Sequence, residues 1–402
     1  MKTELISRDI ARAAELIRQG QLVAVPTETV YGLAGNGLNE AAVKEIYEVK
    51  GRPEVKPLSL MVPGPEDMAL YCREVPPQAM ALAERFWPGP LTIILKSKDC
   101  VPAIVRAGGD TVGLRCPDHP MTLEALREAK LPFAAPSANP SGAPSPKCAG
   151  DVMNYFDGKI SAVIDGGPCG IGRESTIIDM AATPYKILRQ GALPEAEIMD
   201  ALVENMTVIG ITGGTGCGKT TALNELKKLG ALIIDCDALY HELLQSDEPM
   251  ITELKANFPG AVVDGVLDRK ALGRIVFSDS VALLSLNAIT HRHVDRALTE
   301  LLRQHAMAGG LLAAIDAIEL ISSGVNKKCA ATIAVTADRE LRIQRIMARD
   351  GISREYATMR VDAQKPDSYF AENCDFVIKN NSDRAEFTNG FNRIIQEVLQ
   401  NG

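Results

Sequence analysis

The chain lacks paired cysteine chemistry: its nine cysteines, at 72, 100, 116, 148, 169, 217, 236, 329 and 374, form no CxxC pair. That excludes a zinc-ribbon spacing and a secreted disulfide framework, and points to a reducing cytoplasm. No stretch approaches the ~20 apolar residues of a membrane span, and the opening MKTELISRDIARAAELIRQG breaks its apolar residues with charge too often for a secretory core. Neither export nor a membrane span is expected. There is no surplus of positive charge either. With 43 Lys plus Arg against 51 Asp plus Glu, the net charge of -8 argues against coating nucleic acid by bulk electrostatics. Internal repeats and low-complexity tracts are also missing, which sets aside solenoids and linkers.

What remains is ordinary globular composition, 46% hydrophobic and 23% charged, over 402 residues. A single core rarely grows past roughly 250–300 residues, so two domains are expected. Ile6, Ile10, Ala13, Ala14 and Ile17 fall at helical spacing, and Gly20 ends that pattern before the strand-like QLVAVP. Helical and strand-like patches then alternate with Pro-rich and Gly-rich turns, a mixed α/β pattern. PEAEIMDALVEN reads as a closing helix, and Met206 opens the strand TVIGIT, so the boundary is placed at 205/206. The absence of a long Gly/Ser linker there, and a methionine where a free-standing kinase would start, suggest a gene fusion.

The second domain opens on a phosphate cradle. Gly213, Gly214, Thr215, Gly216, Cys217, Gly218, Lys219, Thr220 and Thr221 satisfy GxxxxGK[ST] between a β-branched strand and the helical pattern Leu223, Leu226, Leu229. Such a loop turns backbone N–H groups and a helix N-terminus toward phosphate oxygens, with Lys219 reaching the β/γ phosphates and the Thr220 hydroxyl meeting Mg²⁺. The next apolar run, ALIIDCDAL, ends in Asp235 and Asp237. Two residues apart, they are expected on one face of a strand at the sheet's carboxyl edge. One can take the proton of an attacking hydroxyl, and the other can hold water on the metal; the alternative is that they merely cap the strand and the following helix. RELRIQRIMARD sets Arg342, Arg345 and Arg349 on one helical face, either a solvated face or a lid that supplies arginines to the transferring phosphoryl group. His291 and His293, without a third ligand nearby, read as surface or core residues.

In that order, GITGGTGCGKTT, IIDCDALYHELL, LDRKALGRIVFSD, IDAIELISSG, QRIMARDG and NCDFVIKNN resemble the dephospho-CoA kinase family across 206–402. The resemblance implies a P-loop domain with a parallel sheet, flanking helices and a helical lid. It also implies transfer of the ATP γ-phosphate, with Mg²⁺, to the ribose 3′-hydroxyl of dephospho-CoA. Asp237 matches the general base, Arg345 and Arg349 the lid, Lys219, Thr220 and the loop glycines the ATP cradle, and Asp235 a metal contact through water. Two departures fall on the acceptor side. Where many members read PLLFESG this chain reads Ala317 to Gly324 as AIELISSG, and the usual His-Pro is His291-Arg292. Another small-molecule alcohol is the alternative acceptor.

The first domain carries PTETVYGLAGNG, then KGRPEVKPLSL with Lys50, Arg52 and Lys56 within seven residues, stiffened by Pro53 and Pro57. Short hydroxyl and amide side chains follow in PSANPSG and GRESTIID. Each stretch alone is a solvated run or a simple turn. Together with TVGLRCP and LRQG they resemble the YrdC family of L-threonylcarbamoyladenylate synthases over about 5–195. That implies a YrdC-like mixed α/β domain condensing L-threonine, bicarbonate and ATP into threonylcarbamoyl-AMP and pyrophosphate, for other proteins to pass to tRNA. By motif position Thr29, Arg115 and Ser175 hold threonine beside the Ala135 backbone. Arg52, Lys56, Thr111, Ser137, Ser145 and Arg189 bind ATP, with Lys50 and Asn139 completing the KxR and SxN pairs. Met61 stands where longer relatives read histidine, and the C-terminal extension of those relatives is replaced by the kinase-like half. The alternative is an RNA-binding module, with tRNA or the downstream tRNA-modifying proteins as partners.

Overall fold

The computed structural model describes residues 2–401, which form two compact units. The first ends at Asn205 and also counts Met307–Gly309; the second begins at Met206.

Ten strands build the first unit: β1 (Glu4–Ile6), β2 (Val23–Val25), β3 (Gly32–Asn36), β4 (Ser59–Met61), β5 (Leu91–Lys96), β6 (Thr111–Arg115), β7 (Phe133–Ala134), β8 (Ala162–Ile164), β9 (Thr176–Asp179) and β10 (Lys186–Arg189). They form one mixed sheet in the order β1-β8-β2-β3-β7-β4-β6-β5-β9-β10. The opening helix is shorter than its periodicity predicts. Ile6 lies in β1, paired in parallel with Ile164 of β8, and the helix starts only at Ile10, where the Asp9 side chain accepts from the Arg12 N–H at 3.0 Å. Three residues of strand fit the same apolar spacing as one helical turn, and pairing with β8 decides between them. Helix Ile10–Arg18 packs its Ala13, Ala14 and Ile17 with Leu126 and Ala129 of helix Pro120–Ala129 into one core against the sheet. What this frame does for chemistry is set ends together. Met61 at the end of β4 is in register with Arg115 at the end of β6. Ser175 immediately precedes β9, and Arg189 closes β10.

The second unit contains β11 (Thr207–Thr212), β12 (Leu232–Asp235), the small hairpin β13 (Val262–Val263) and β14 (Val266–Leu267), then β15 (Leu312–Asp316), β16 (Ala331–Thr336) and β17 (Phe376–Lys379). Five of them form an all-parallel sheet in the order β12-β15-β11-β16-β17. Its central strands are apolar on both faces, as helices on both sides require. Chain order reverses at β11, between β15 and β16, and ligands of such sheets bind at that carboxyl edge. Asp235 and Asp316 lie side by side there in the β12/β15 register.

One expectation fails at this edge. Asp235 and Asp237 do not share a strand face, because β12 stops at Asp235 and helix Cys236–Ser246 begins at once. Asp235 is its N-cap, accepting from the N–H groups of Asp237 and Ala238 at 2.9 and 3.0 Å, and Asp237 sits in the first turn. An aspartate that can satisfy two orphan helix donors ends the strand. His293 is a core residue, 6% exposed between Asp247 and Glu253.

Candidate functional sites

In the second unit the loop after β11 wraps an open cavity of about 460 Å³. Gly214, Thr215, Gly216, Gly218, Lys219 and Thr220 line one side; Asp235, Asp237, Asp316, Arg345, Arg349 and Arg360 line the rest. Gly213, Cys217 and Thr221 are outside that lining, and the Cys217 side chain is buried in the core. Two glycines are fixed by close approach: a Cβ on Gly213 would lie 2.1 Å from the Val335 carbonyl, and one on Gly218 would lie 2.1 Å from Asn380 Nδ2. Both have positive φ, +132° and +95°. Helix Lys219–Lys228 begins at Gly218 with no side-chain cap, so its first N–H groups face the loop's concavity.

The loop is braced from behind. Gln364 accepts from the Thr215 N–H at 2.9 Å and donates to Thr215 Oγ1 at 2.7 Å. Arg342 donates to the Thr215 carbonyl at 3.0 Å and to Gln364, and Asn380 donates to the Cys217 carbonyl at 2.8 Å. Arg342 is therefore no lid arginine. At 7% exposure it is a buried brace, and Arg345 and Arg349 alone of that trio reach the cavity. Arg345 donates to the Asn380 carbonyl at 3.0 Å. Arg349 and Arg360 share Asp350, whose carboxyl they hold down at about 2, the Arg349 hydrogen bond acting most strongly.

Lys219 Nζ lies 3.3 Å from Asp316 Oδ1 and donates to the Gly213 carbonyl at 3.2 Å. Burial raises the Asp316 carboxyl pKa, Lys219 opposes the rise, and the charges of Asp235 and Asp237 add to it. Asp316 Oδ1 is buried, with the Lys219 ammonium facing it. Sequence reading missed both Asp316 and Arg360. The run LLAAID ends in an acidic residue just as ALIID does, and that parallel was the available signal.

A second cavity of about 490 Å³ opens beside the first. Asp237 lines both. Its other walls include Tyr240, His291, Arg292, Ala317, Glu319, Ser323 and Gly324, so the two stretches singled out as acceptor-side departures face one space.

In the first unit a cavity of about 170 Å³ gathers Arg52, Arg115 and Arg189 with Ser137, Ser175 and Ala135. Arg115 is clamped: its Nη2 donates to Glu28 Oε1 and to Thr29 Oγ1, both at 2.7 Å, and its Nε to the Gly89 carbonyl. Arg189 holds the Ser175 carbonyl and hydroxyl at 3.0 and 3.1 Å, and Arg52 donates to the Pro57 carbonyl at 3.0 Å. Burial lowers the pKa of both guanidinium groups. Lys50 is 3% exposed and fixed by the carbonyls of Ser137 and Asn139; burial, then Arg52, lowers it to about 8. Lys50 thus sets the PSAN turn from behind rather than lining the cavity.

Other expected contacts are also indirect. Thr29 is fully buried under Arg115, the Asn139 amide nitrogen donates to the Pro140 and Ala143 carbonyls while its Oδ1 is buried without a donor, and Ser145 donates to Glu174 at 2.8 Å. Lys56 is exposed, and neither it nor Thr111 lines the cavity. The Lys56 backbone carbonyl, not its ammonium, is used locally, accepting from Tyr47 at 2.9 Å. Glu28 and Glu174 were missed by sequence reading; each sits beside a residue that was singled out.

Comparison with known proteins separates along the same line. Residues 15–191 match the family model for Sua5, YciO and YrdC, described as telomere recombination, and residues 207–386 match that for dephospho-CoA kinase. A putative threonylcarbamoyl-AMP synthase of Methanocaldococcus jannaschii is 37% identical over 179 residues, covering 44% of this chain and 83% of that one. A dephospho-CoA kinase of Geobacter sulfurreducens is 38% identical over 196 residues, covering 48% of this chain and 97% of that one. The chain belongs to both families. A threonylcarbamoyl-AMP synthase of Pyrococcus abyssi is 48% identical over 192 residues, or 48% of this chain. This chain spans about half the length of the first curated synthases it matches, 56, 57 and 53% of them. Among the described residues no helix is long and apolar enough to cross a membrane.

Proposed function

We propose that the chain is a bifunctional enzyme whose activities divide at 205/206: a threonylcarbamoyl-AMP synthase in 1–205 and a dephospho-CoA kinase in 206–402. The observation that carries the kinase assignment is Asp237, a carboxylate shared by the phosphate-loop cavity and the neighbouring cavity. An acceptor hydroxyl held beside it can give its proton to Asp237 while the oxygen attacks the γ-phosphorus and ADP leaves. Lys219, Arg345 and Arg349 neutralise the oxygens of the moving phosphoryl group, and the loop N–H groups hold those left behind. The donor set suits Mg²⁺: Thr220, Asp235 and Asp316, whose buried Oδ1 faces the Lys219 ammonium, are hard oxygen ligands, and magnesium takes one or two carboxylates with substrate phosphates. When bound it supplies charge neutralisation at the phosphates.

For the synthase half we infer that Arg115 with Ser175 receives the threonine carboxylate, and Arg52 with Arg189 the phosphates of ATP. The threonine amine attacks the bicarbonate carbon and water leaves, giving an N-carboxylate, whose oxygen then attacks the α-phosphorus of ATP as pyrophosphate leaves. Partly desolvated cations that keep their charge stabilise the leaving pyrophosphate more than solvated ones would. Cytoplasmic location suits the scattered cysteines, all free in the structure.

Nucleotide chromatography of the full chain with ATP and Mg²⁺ tests both readings. Dephospho-CoA should yield ADP and CoA. Threonine with bicarbonate should yield an adenylate and pyrophosphate. Asp237→Asn should abolish the first reaction by at least about a hundredfold in kcat while ATP binding and the second reaction persist. Salt-sensitive tRNA binding without threonine-dependent turnover would instead make the first half an RNA-binding module.

A further inference from the structure

The wall of the acceptor-side cavity carries a carboxylate to which no motif gives a role, Glu319. After β15 ends at Asp316 the chain makes a compact turn. The Ala317 N–H bonds back to the Ile211 carbonyl at 3.2 Å, the Ser323 N–H to the Glu319 carbonyl at 2.9 Å and the Asn326 N–H to the Leu320 carbonyl at 3.1 Å. Leu320 is fully buried and anchors the turn, while Glu319 points outward, exposed, into the cavity. The Ser322 hydroxyl donates to Glu319 Oε2.

That contact bears on the departure from PLLFESG. Set against E-S-G, the residues here are Ser322-Ser323-Gly324, so the motif's glutamate position is a serine and the carboxylate has moved three residues earlier. Ser322 does not itself line the cavity, but its hydroxyl touches the Glu319 carboxylate, so a carboxylate still stands next to position 322, delivered onto the wall from one turn earlier. Apart from Asp237, the base of the proposed reaction, the other aspartate and arginine side chains of the wall are paired. Arg292 is paired with Glu253, and Asp295 with Lys328 at 3.1 Å. Glu319 contacts a neutral hydroxyl, so its charge remains available to a ligand.

Building on the kinase assignment above, we infer that Glu319 is a specificity-determining residue for the phosphoryl acceptor, accepting a hydrogen bond from a neutral donor on it, such as a sugar hydroxyl. A carboxylate in that place also favours release, since the product carries a new phosphate into a cavity that already holds Asp237 and Glu319.

The test uses the full chain with Glu319→Leu, Glu319→Gln and the double variant Glu319→Leu/Ser322→Glu, measuring kcat, both KM values and inhibition by CoA. Losing a hydrogen bond to a charged acceptor should raise KM for dephospho-CoA by about tenfold in E319L and less in E319Q, with KM for ATP unchanged within about twofold. CoA should inhibit both single variants more strongly relative to their KM. Returning the carboxylate at 322 should restore the acceptor KM. The inference is overturned if E319L and E319Q keep the wild-type acceptor KM, if KM for ATP rises in step with it, or if the double variant is no better than E319L. Failure of the kinase assignment is separately visible. Wild type would then leave dephospho-CoA untouched, and an active alternative alcohol would take its place in the same variant series; with no alcohol accepted, both fall.

Discussion

Replacing Glu28 with glutamine gives the most direct measure of how the first unit's cavity handles charge. Arg115 and Glu28 are 9% and 12% exposed at their side chains and meet at 2.7 Å, so their charge centres lie about 4 Å apart. At the effective dielectric of about 20 that suits partly buried pairs, their attraction is about 4 kcal/mol. Glutamine keeps the shape and an oxygen for the guanidinium, which retains about 1 kcal/mol of hydrogen bonding. The expected net loss is about 3 kcal/mol, or roughly 6–12 °C of Tm for a unit of this size. Binding should move the other way. With Glu28 neutral, Arg115 has no competing carboxylate, so L-threonine should bind the variant more tightly and shift its transition further than in wild type. Calorimetry of the full chain reads both, the ligand marking which transition belongs to the first unit. A Tm change under about 2 °C would refute the charge argument, since it would mean that Arg115 is effectively solvated. A smaller threonine-induced shift in the variant would refute the competition and make Glu28 part of the threonine site.

Two further outcomes follow from the same geometry. Burial holds the Lys50 ammonium at about 8 instead of its ordinary 10.5, so between those pH values the unfolded chain binds more protons than the folded one. Stability of the first unit should therefore rise with pH across that window, by at most about 3 kcal/mol from this residue, and Lys50→Met should flatten the rise in Tm; parallel curves would refute it. Gln364→Leu removes both contacts to Thr215 and should raise KM for ATP by about tenfold while leaving KM for the acceptor alone, as steady-state kinetics with each substrate varied will show.

What could be read from the sequence was local and ordered: the phosphate loop, the strands entering it, the motif order of each half. What could not be read was decided by partners far along the chain. Ile6 became a strand because Ile164 lies beside it, some 160 residues on. Asp235 left the strand face because it could cap a helix, which the pattern ALIIDCDAL permits but does not demand. Lys50, Arg52 and Lys56 looked like one basic cluster, yet the fold sends them three ways: beneath the PSAN turn, into the cavity and out to solvent. Arg360 left no signal in the sequence and Glu28 and Asp316 only a weak one, because their roles come from Asp350, Arg115 and Lys219, none of which is a sequence neighbour.

On the proposed functions the two halves would meet one requirement, holding polyanionic phosphate, with different devices, and each device constrains its unit differently. The second unit adds a backbone cradle to its cations Lys219, Arg345 and Arg349: a Cβ at Gly213 or Gly218 would meet its neighbours, and the loop's shape depends on Gln364, Arg342 and Asn380 from outside it. Backbone dipoles need no counter-charge, so the loop can face open solvent between turnovers. The first unit uses side-chain cations, and buried guanidinium groups must be held by something when no ligand is there. Arg52 rests on a carbonyl, Arg189 on a carbonyl and a hydroxyl, and Arg115 on a full carboxylate. On the proposed assignment, an incoming phosphate would compete only with neutral acceptors at Arg52 and Arg189, whereas an incoming carboxylate would have to compete with Glu28 at Arg115. That asymmetry predicts tight nucleotide binding and weaker binding of the amino acid in the same cavity, and it makes Glu28 the residue through which their relative affinities can be changed.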